Sequence, residues 1–175
     1  MRDALADVAT IDCRLKWPND VLAKENAADP EAPWFKISGI LCEMVPGAEL
    51  VVIGAGVNID QTRSELPVET ATSLALCGVA DVRREAVVVR YLGALANLHQ
   101  AWTGGDAGLE AMGAAYRSCC LTIGLDVDVH QPDGLVVHGT ATGVDDRGRL
   151  MVAGPGARTV HAAGDVTHVR NSQRA

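Results

Sequence analysis

The sequence predicts an α+β fold, in which a mixed sheet with packed helices is followed by a small β-barrel. Three observations support this fold class: alternating apolar and polar residues near the N-terminus, helical spacing of apolar residues after residue 81, and a dense series of short strands and turns after residue 125. A chain of 175 residues has room for one medium domain, or for an incomplete domain with a small second module. The composition changes near residues 117–124, so we expect one domain over residues 1–118 and a second over residues 119–175.

The first domain is predicted to begin with a short helix and to continue as a hairpin-rich sheet. Residues 2–10 carry apolar side chains three apart, as one helix face requires, and residues 11–17 alternate like a strand. Residues 25–33 are polar and interrupted by two prolines, which is typical of a surface loop. Residues 36–45 fit a strand, and after a proline-glycine turn the apolar run 50–53 is typical of a strand covered on both faces.

A longer helix and then five short strands are predicted for the rest of the chain. Asp81 is a suitable N-cap for the helix, and two glycines after Thr103 should end it. One face of this helix is marked by Val88, Leu92, Leu95, His99 and Trp102. A weaker helix is predicted over residues 109–117. The strands are expected at residues 125–129, 135–144, 150–153, 159–162 and 166–169, and their short spacing suggests a small barrel.

Composition and charge argue against several classes of partner. The formal net charge is −7 and the chain has 3 Trp, 2 Tyr and 1 Phe, so neither a basic surface nor a set of stacking rings is available for nucleic acid. No apolar stretch reaches the roughly 18 residues of a membrane span, and the first residues lack the apolar core of a leader. We therefore expect no nucleic acid, no membrane and a cytoplasmic location. The five cysteines contain no CxxC pair and are predicted to be reduced.

The first candidate site is the segment Lys16-Trp17-Pro18-Asn19-Asp20, where a predicted strand runs into a proline turn. Because Pro18 fixes its own φ and favours an extended backbone at Trp17, the next two side chains project from a rigid corner. An ordinary Asx turn explains the same residues equally well.

The second candidate is the strand segment from Lys36 to Glu43, KISGILCE. Simple alternation places Lys36 and Ser38 on one face of the strand, and Ile37 and Gly39 on the other. A glycine inside a strand often marks the close approach of a ligand or of another backbone. An exposed edge lysine beside a β-bulge is the alternative interpretation.

The third candidate is Gly54-Ala55-Gly56-Val57-Asn58, which follows an apolar strand. It begins like a dinucleotide-binding loop, but its sixth position is Ile59 and no helical pattern follows, so that interpretation fails. Small residues still allow a flat ligand to lie against the backbone, and the Asn58 amide offers both a donor and an acceptor. A plain tight connection is the alternative.

Metal and hydrolase chemistry receive little support from the sequence. The five histidines show no zinc-ligand spacing, so no metal-ligating residues are predicted. Thr72 and Ser73 lie outside any recognisable nucleophile elbow, which argues against a serine hydrolase.

Taken in order, four motifs give the chain a specific resemblance to biotin protein ligases. They are KWPND at 16–20, KISGIL at 36–41, VVIGAGVNI at 51–59, and Leu66-Pro67 with Ala71-Thr72-Ser73-Leu74. The resemblance implies that residues 2–117 are the rear half of a class II synthetase-like catalytic domain, followed by an SH3-like C-terminal barrel. It also implies an enzyme that joins biotin to ATP with magnesium, forms biotinyl-5′-AMP, and passes biotin to a lysine of a carboxylase biotin carrier domain.

The resemblance assigns roles residue by residue. Lys36 matches the family lysine that bridges the biotin carboxylate and the α-phosphate, and it is the expected catalytic residue. The biotin site is expected to contain Lys36, Gly39, Gly54, Gly56 and Trp17, with Trp17 as a wall of the pocket. The nucleotide site is expected to contain Asn19, Asp20 and Asn58, with Asn58 near adenine. Asp20 either orients Lys36 or helps hold a magnesium ion, and the sequence leaves both open.

One family feature is absent from the sequence upstream of Lys16: a loop resembling Gly-Arg-Gly-Arg-x-Gly-Arg that closes over biotin and phosphate. We therefore expect this polypeptide alone to be inactive or nearly so. Two alternatives stay open: a catalytically deficient module that binds biotin, adenylate or the carrier, and a lipoate or octanoyl transferase relative. A homodimer is also left open.

Overall fold

The computed structural model describes residues 1–169, in which the backbone forms three α-helices and nine β-strands. The helices are α1 (Arg2–Ala9), α2 (Arg84–Thr103) and α3 (Asp106–Cys119). The strands are β1 (Cys13–Lys16), β2 (Asp20–Lys24), β3 (Trp34–Met44), β4 (Val51–Val57), β5 (Asp126–His130), β6 (Val136–Val144), β7 (Leu150–Ala153), β8 (Arg158–His161) and β9 (Asp165–His168). The α+β prediction is confirmed.

The chain divides into two compact units. The first contains residues 1–14 and 19–98, and the second contains residues 15–18 and, within the described residues, 99–169. The predicted domain boundary at residue 118 falls at the end of α3 and stays a prediction. Residues 170–175 of the predicted second domain lie outside the described residues. Among residues 1–169, no helix combines the length and the apolar character that crossing a membrane requires.

The first sheet contains β1 to β4 in sequence order. β2 pairs antiparallel with β3, and β3 pairs antiparallel with β4. The isolated parallel bridges join Leu15 to Cys120 and Lys36 to Ala71. The alternation pattern did not indicate β2, because its three central residues, 21–23, are all buried and therefore all apolar. β3 consequently lies between two neighbours and is not an edge strand.

The outer end of the β3–β4 hairpin is apolar and exposed. Val51 and Val52 are more than half exposed, and so are Leu41 and Met44 on β3. The prediction that residues 50–53 form a strand covered on both faces is therefore wrong for this chain. The physical reason is that an apolar run predicts a strand but does not establish that other elements pack on its faces, and in the described part of the chain the side chains of residues 50–53 are 41% to 63% exposed.

The sequence predicts the C-terminal ends of the helices more accurately than their first residues. α2 starts at Arg84, three residues after the predicted cap, because Asp81 has a positive φ of 59° that no helix can contain. It stops at Thr103, and Gly105 has a φ of 93°, which a glycine adopts without strain. α3 spans residues 106–119 and includes the weaker predicted helix.

The second unit is built on a five-stranded sheet with the order β8-β7-β6-β5-β9, in which all four strand pairs are antiparallel. All five predicted strands are present. Its core consists of small and medium apolar side chains around one large ring, that of Trp17. The principal members are Val127, Val129, Ala141, Leu150, Val152 and Val166. Closure of this sheet into an SH3-like barrel stays a prediction.

Trp17 is a central residue of that core. Only 2% of its surface is exposed, and its indole N–H donates a 2.9 Å hydrogen bond to the carbonyl oxygen of Gly148. Its backbone N–H donates to Thr122 Oγ1 at 3.0 Å. Thr122 Oγ1 also lies 3.1 Å from His168 Nε2, so one buried hydroxyl links Trp17 to the last strand of the sheet.

His168 should make the stability of the second unit depend on pH. Burial, with a smaller contribution from the nearby Lys16 charge, lowers the pKa of His168 from 6.5 to about 4. Between these two values the unfolded chain binds the proton and the folded chain does not, so the free energy of unfolding should fall as pH decreases from about 6.5 towards 4. Above pH 6.5 the contribution is fully present.

The measurement is urea unfolding of the wild-type chain and of His168→Gln across pH 4 to 7. The difference between the two curves isolates His168 from the carboxylates, which titrate in both proteins. The variant should show a flatter pH dependence. Parallel curves would contradict the assignment of this pH dependence to His168.

Candidate active site

The site is centred on an ion pair between β3 and the start of β2. Lys36 Nζ lies 2.6 Å from Asp20 Oδ1, with the lysine side chain 44% exposed and the aspartate side chain 12% exposed. The strand register places Asp20 opposite Gly39 rather than opposite Lys36. The lysine side chain therefore runs along its own strand to reach the carboxylate. Of the two roles that the sequence left open for Asp20, this geometry corresponds to orienting Lys36.

A bulge in β3 explains how the lysine reaches that position. Val21 of β2 pairs with Ser38 and the next residue, Leu22, pairs with Lys36, so Ile37 is an extra residue on β3. An extra residue shifts the alternation of side chains by one. The prediction that Lys36 and Gly39 lie on opposite faces is corrected accordingly: Lys36 Cε lies only 3.2 Å from the point that a Cβ at residue 39 would occupy.

Three glycines form an open floor beside the lysine. Gly39 pairs with Gly56, and Leu41 pairs with Gly54, so residues 39, 54 and 56 present the same face of the hairpin. A Cβ at Gly56 would meet no atom within 4 Å, and one at Gly54 would meet only the Leu41 carbonyl oxygen at 3.8 Å. We call Gly39, Gly54 and Gly56 the glycine strip. It offers bare backbone on which a flat ligand can lie.

Replacing Gly39 with alanine should displace the Lys36 ammonium. The added methyl group would lie 3.2 Å from Lys36 Cε and 3.3 Å from Nζ, so the flexible end of the lysine must shift to make room for it. We expect the NMR signal of the Lys36 Nζ group to shift in this variant, because the ammonium no longer keeps the same place against the Asp20 carboxylate.

Gly56→Ala is the matched control, since its methyl group would meet open space. It should leave the Lys36–Asp20 pair intact, as seen from an unchanged Lys36 Nζ signal in NMR spectra, although it adds a methyl group to the surface of the glycine strip. An unchanged Nζ signal in Gly39→Ala would contradict the position assigned to the lysine.

The two asparagines hold backbone segments at the ends of the site. The Asn19 side-chain amide donates to the Ile40 carbonyl at 2.9 Å, and the Ile40 N–H donates back to the Asn19 carbonyl at 2.9 Å. The Asn58 amide donates to the Thr72 carbonyl at 2.8 Å, and its backbone N–H donates to the Ile37 carbonyl at 2.9 Å. Asn58 is thus bonded to the residue next to Lys36.

Seven of the eight predicted site residues therefore lie in the first unit, on β2, β3 and β4 or next to the ends of these strands. They are Asn19, Asp20, Lys36, Gly39, Gly54, Gly56 and Asn58. The eighth, Trp17, belongs to the second unit, where its ring is packed in the core. That burial leaves almost none of its surface for a ligand, and its predicted contact with biotin stays a prediction from sequence.

A segment for which no role is predicted, residues 70–72, contacts the backbone of Lys36. The Lys36 N–H donates to the Thr70 carbonyl at 2.8 Å, and the Thr72 N–H donates to the Lys36 carbonyl at 2.8 Å. Thr72 is part of a family-like motif, but its separation of 36 residues from Lys36 gives no local signal of contact. The bridge between Lys36 and Ala71 could be found only from the fold.

A separate cavity of about 310 Å³ lies on the other face of β4. Ala55 and Val57 line it, together with Val87 and Tyr91 of α2. Because these β4 residues alternate with the glycines, the cavity and the glycine strip open on opposite faces of the strand. The cavity is therefore not the lysine site.

No residues in the described part of the chain form a resident metal site. Residues 1–169 contain no group of three or more His, Cys, Asp or Glu side chains that could hold a metal ion. The one acidic side chain at the centre of the site, Asp20, is engaged by the lysine ammonium.

Comparisons with known proteins agree with the resemblance read from the motifs. A biotin–[acetyl-CoA-carboxylase] ligase from Mycobacterium tuberculosis is 39% identical over 156 residues, which are 89% of this chain and 53% of that protein. The chain spans about half the length of the curated relatives that it matches most strongly. No family model matches the sequence.

Solved structures agree in fold. A biotin protein ligase from Aquifex aeolicus superposes with a TM-score of 0.79 at 22% identity, over 96% of this chain and 70% of that one. The same ligase in complex with biotin and ATP gives a TM-score of 0.75 at 24% identity, over 97% of this chain and 67% of that one. The chain is therefore related in sequence to biotin–[acetyl-CoA-carboxylase] ligases and has the fold of a biotin protein ligase C-terminal region.

Proposed function

We propose that the protein acts in the ATP-dependent attachment of biotin to a lysine of a carboxylase biotin carrier domain, through biotinyl-5′-AMP. The observation that carries the proposal is the Lys36 ammonium held by Asp20 beside the glycine strip. The similarity to the M. tuberculosis ligase supports the same reaction. This chain supplies the part of the active site around Lys36.

The first step needs a positive charge at this place. A carboxylate oxygen of biotin attacks the α-phosphorus of ATP, a new P–O bond forms, the bond to the β-phosphate oxygen breaks, and pyrophosphate leaves. Two anions must approach each other, so a fixed ammonium between them lowers the barrier electrostatically. Asp20 restricts the position of the Lys36 ammonium before the substrates arrive, which reduces the reorganisation that the step requires.

The second step transfers the acyl group. The neutral amine of the carrier lysine attacks the acyl carbon of biotinyl-5′-AMP, the C–O bond to the phosphate breaks, AMP leaves, and the new amide nitrogen loses a proton to solvent. The flat ureido ring of biotin fits an uncluttered backbone surface, which the glycine strip provides. Asn58 and Asn19 lie at the ends of the hairpin segment and are assigned to the nucleotide.

The protein partner in this proposal is the biotin carrier domain of the carboxylase, and the proposed location is the cytoplasm. The sequence left a homodimer open as the assembly. The five free cysteines support a reducing compartment. The strands of the second unit are proposed to form the SH3-like module of the family.

The test is transfer of labelled biotin to a purified carrier domain in the presence of MgATP. It is run with this chain alone, and with this chain fused to the part of the M. tuberculosis relative that it does not match. Transfer by the fusion, with little or none by the chain alone, is the expected result. Labelling by lipoyl groups instead of biotin would overturn the proposal, and so would binding without transfer in both proteins.

A further inference from the structure

Lys36 is held from two sides, and only one of them is a regular strand pairing. On one side it pairs with Leu22 of β2. On the other side its N–H and carbonyl are bonded at 2.8 Å each to Thr70 and Thr72, in a segment without regular secondary structure. The path of β3 at the lysine therefore depends on what fixes this segment.

The side chains of Arg63 and Glu25, which come from other parts of the chain, fix the segment 70–72. Arg63 donates from Nη1 to the Ala71 carbonyl at 2.7 Å, and Thr72 donates from Oγ1 to Glu25 Oε1 at 2.7 Å. The Arg63 guanidinium also bonds to the same Glu25 oxygen. The Glu25 carboxylate thus accepts hydrogen bonds from both Arg63 and Thr72.

The burial of these groups makes the bonds consequential. Thr72 is fully buried, so its hydroxyl must find an acceptor inside the protein or leave a buried polar group unsatisfied. Glu25 provides a charged acceptor, which forms a stronger hydrogen bond than a neutral one. Arg63 in addition lies over the ring of Phe35, 5.5 Å from its centroid, and Phe35 is the residue next to Lys36.

We propose that Glu25, Arg63 and Thr72 form a positioning network for Lys36. The inference rests on the proposed function, because it gives the lysine its task, but the geometry of the network is independent of it. The network acts through the backbone: the carboxylate fixes Thr72 and Arg63, these fix residues 70–72, and that segment fixes the strand path at Lys36. A small displacement of a catalytic group is enough to lower a rate, so such support matters.

Ser73 offers a matched comparison within the same segment. It is also fully buried, and its hydroxyl donates to the Gln61 carbonyl at 2.7 Å. It makes no backbone bond to Lys36, in contrast to Thr72. Ser73→Ala should therefore lower stability without changing the lysine, whereas loss of the Thr72 hydroxyl should change both.

The experiment measures the acylation rate of Lys36 by a small amine-reactive ester, followed by peptide mass spectrometry, with Lys16 of the second unit as the internal reference. The ammonium must leave its carboxylate and lose a proton to solvent before the neutral amine can attack the ester, so weaker positioning gives faster labelling. In Thr72→Val the rate should rise by about two- to fivefold, the range expected when a half-exposed ion pair is weakened. Thr72→Ser, which keeps the hydroxyl, should match the wild type, and so should Ser73→Ala.

Glu25→Gln provides a second route if Thr72→Val fails to fold, because Glu25 is partly exposed and its side-chain size is preserved. It should raise the labelling rate in the same direction. Labelling rates equal to wild type in the folded variants would overturn the positioning network. In the fusion protein used above, the same variants should lower kcat for adenylate formation more than they change KM for ATP. A changed labelling rate together with no biotin transfer by the fusion protein would instead refute the proposed function alone.

Discussion

Replacing Lys36 with alanine should lower the rate of biotinyl-adenylate formation by about 10²- to 10³-fold, the loss expected for one preorganised charged donor. The reason is local, because Lys36 is the cation that Asp20 holds beside the glycine strip. The measurement is pyrophosphate release in a single turnover by the fusion protein that contains this chain. Its folding is checked by circular dichroism, since a side chain that is 44% exposed contributes little to the core.

Two companion variants separate charge from position. Lys36→Arg keeps the charge but changes the shape of the donor, so it should recover only part of the rate. Asp20→Asn keeps the size of the side chain but removes the partner that holds the ammonium, so it should fall between wild type and Lys36→Ala. A rate near that of the wild type in Lys36→Ala would remove Lys36 from the mechanism.

Replacing Trp17 with alanine should destabilise the second unit by about 3 to 5 kcal/mol, the range measured for a large aromatic ring lost from a core. The ring is 2% exposed and packs among the core side chains of that unit. Its loss would leave a cavity and also remove the partner of the Gly148 carbonyl. The measurement is the free energy of unfolding from urea titration, followed by circular dichroism.

Trp17→Phe is the control for this variant. It keeps most of the apolar volume but loses the indole N–H, and because Gly148 is exposed its carbonyl can accept from water instead. The variant should therefore cost about 1 to 3 kcal/mol, mainly through the partly emptied core. If Trp17→Ala unfolds at the same urea concentration as wild type, the packing role assigned to Trp17 is wrong.

The sequence predicted those parts of the fold whose signals are local. The five strands of the second unit alternate along their length and are separated by turns rich in glycine and aspartate, so each is visible within about ten residues. Lys36, Gly39 and Gly56 could be predicted as candidate site residues because they stand in ordered motifs, and their roles stay predictions. The hydrogen bond from Asn58 to the residue beside Lys36 is consistent with their shared location.

What sequence reasoning missed depends on contacts between distant residues. β2 showed no alternation because its central side chains are buried on both faces of the sheet. The apolar sequence of β4 predicted burial, whereas β4 is an exposed edge strand. Nothing local links Glu25 to Thr72, which lie 47 residues apart and meet through one hydroxyl. The bulge at Ile37 also depends on pairing, because an extra residue is defined only against the neighbouring strand.

The bulge makes this chemistry sensitive to strand register as well as to residue type. A regular pairing of β2 with β3 that kept Ile37 in the ladder would leave every charged residue in the sequence, and yet it would turn the ammonium to the reverse side of the hairpin. Variation that favours a regular ladder at residues 36–38 is therefore expected to be more damaging than most other changes on this strand. In redesigning this hairpin, the irregular pairing should be kept fixed and the exposed side chains treated as the adjustable ones.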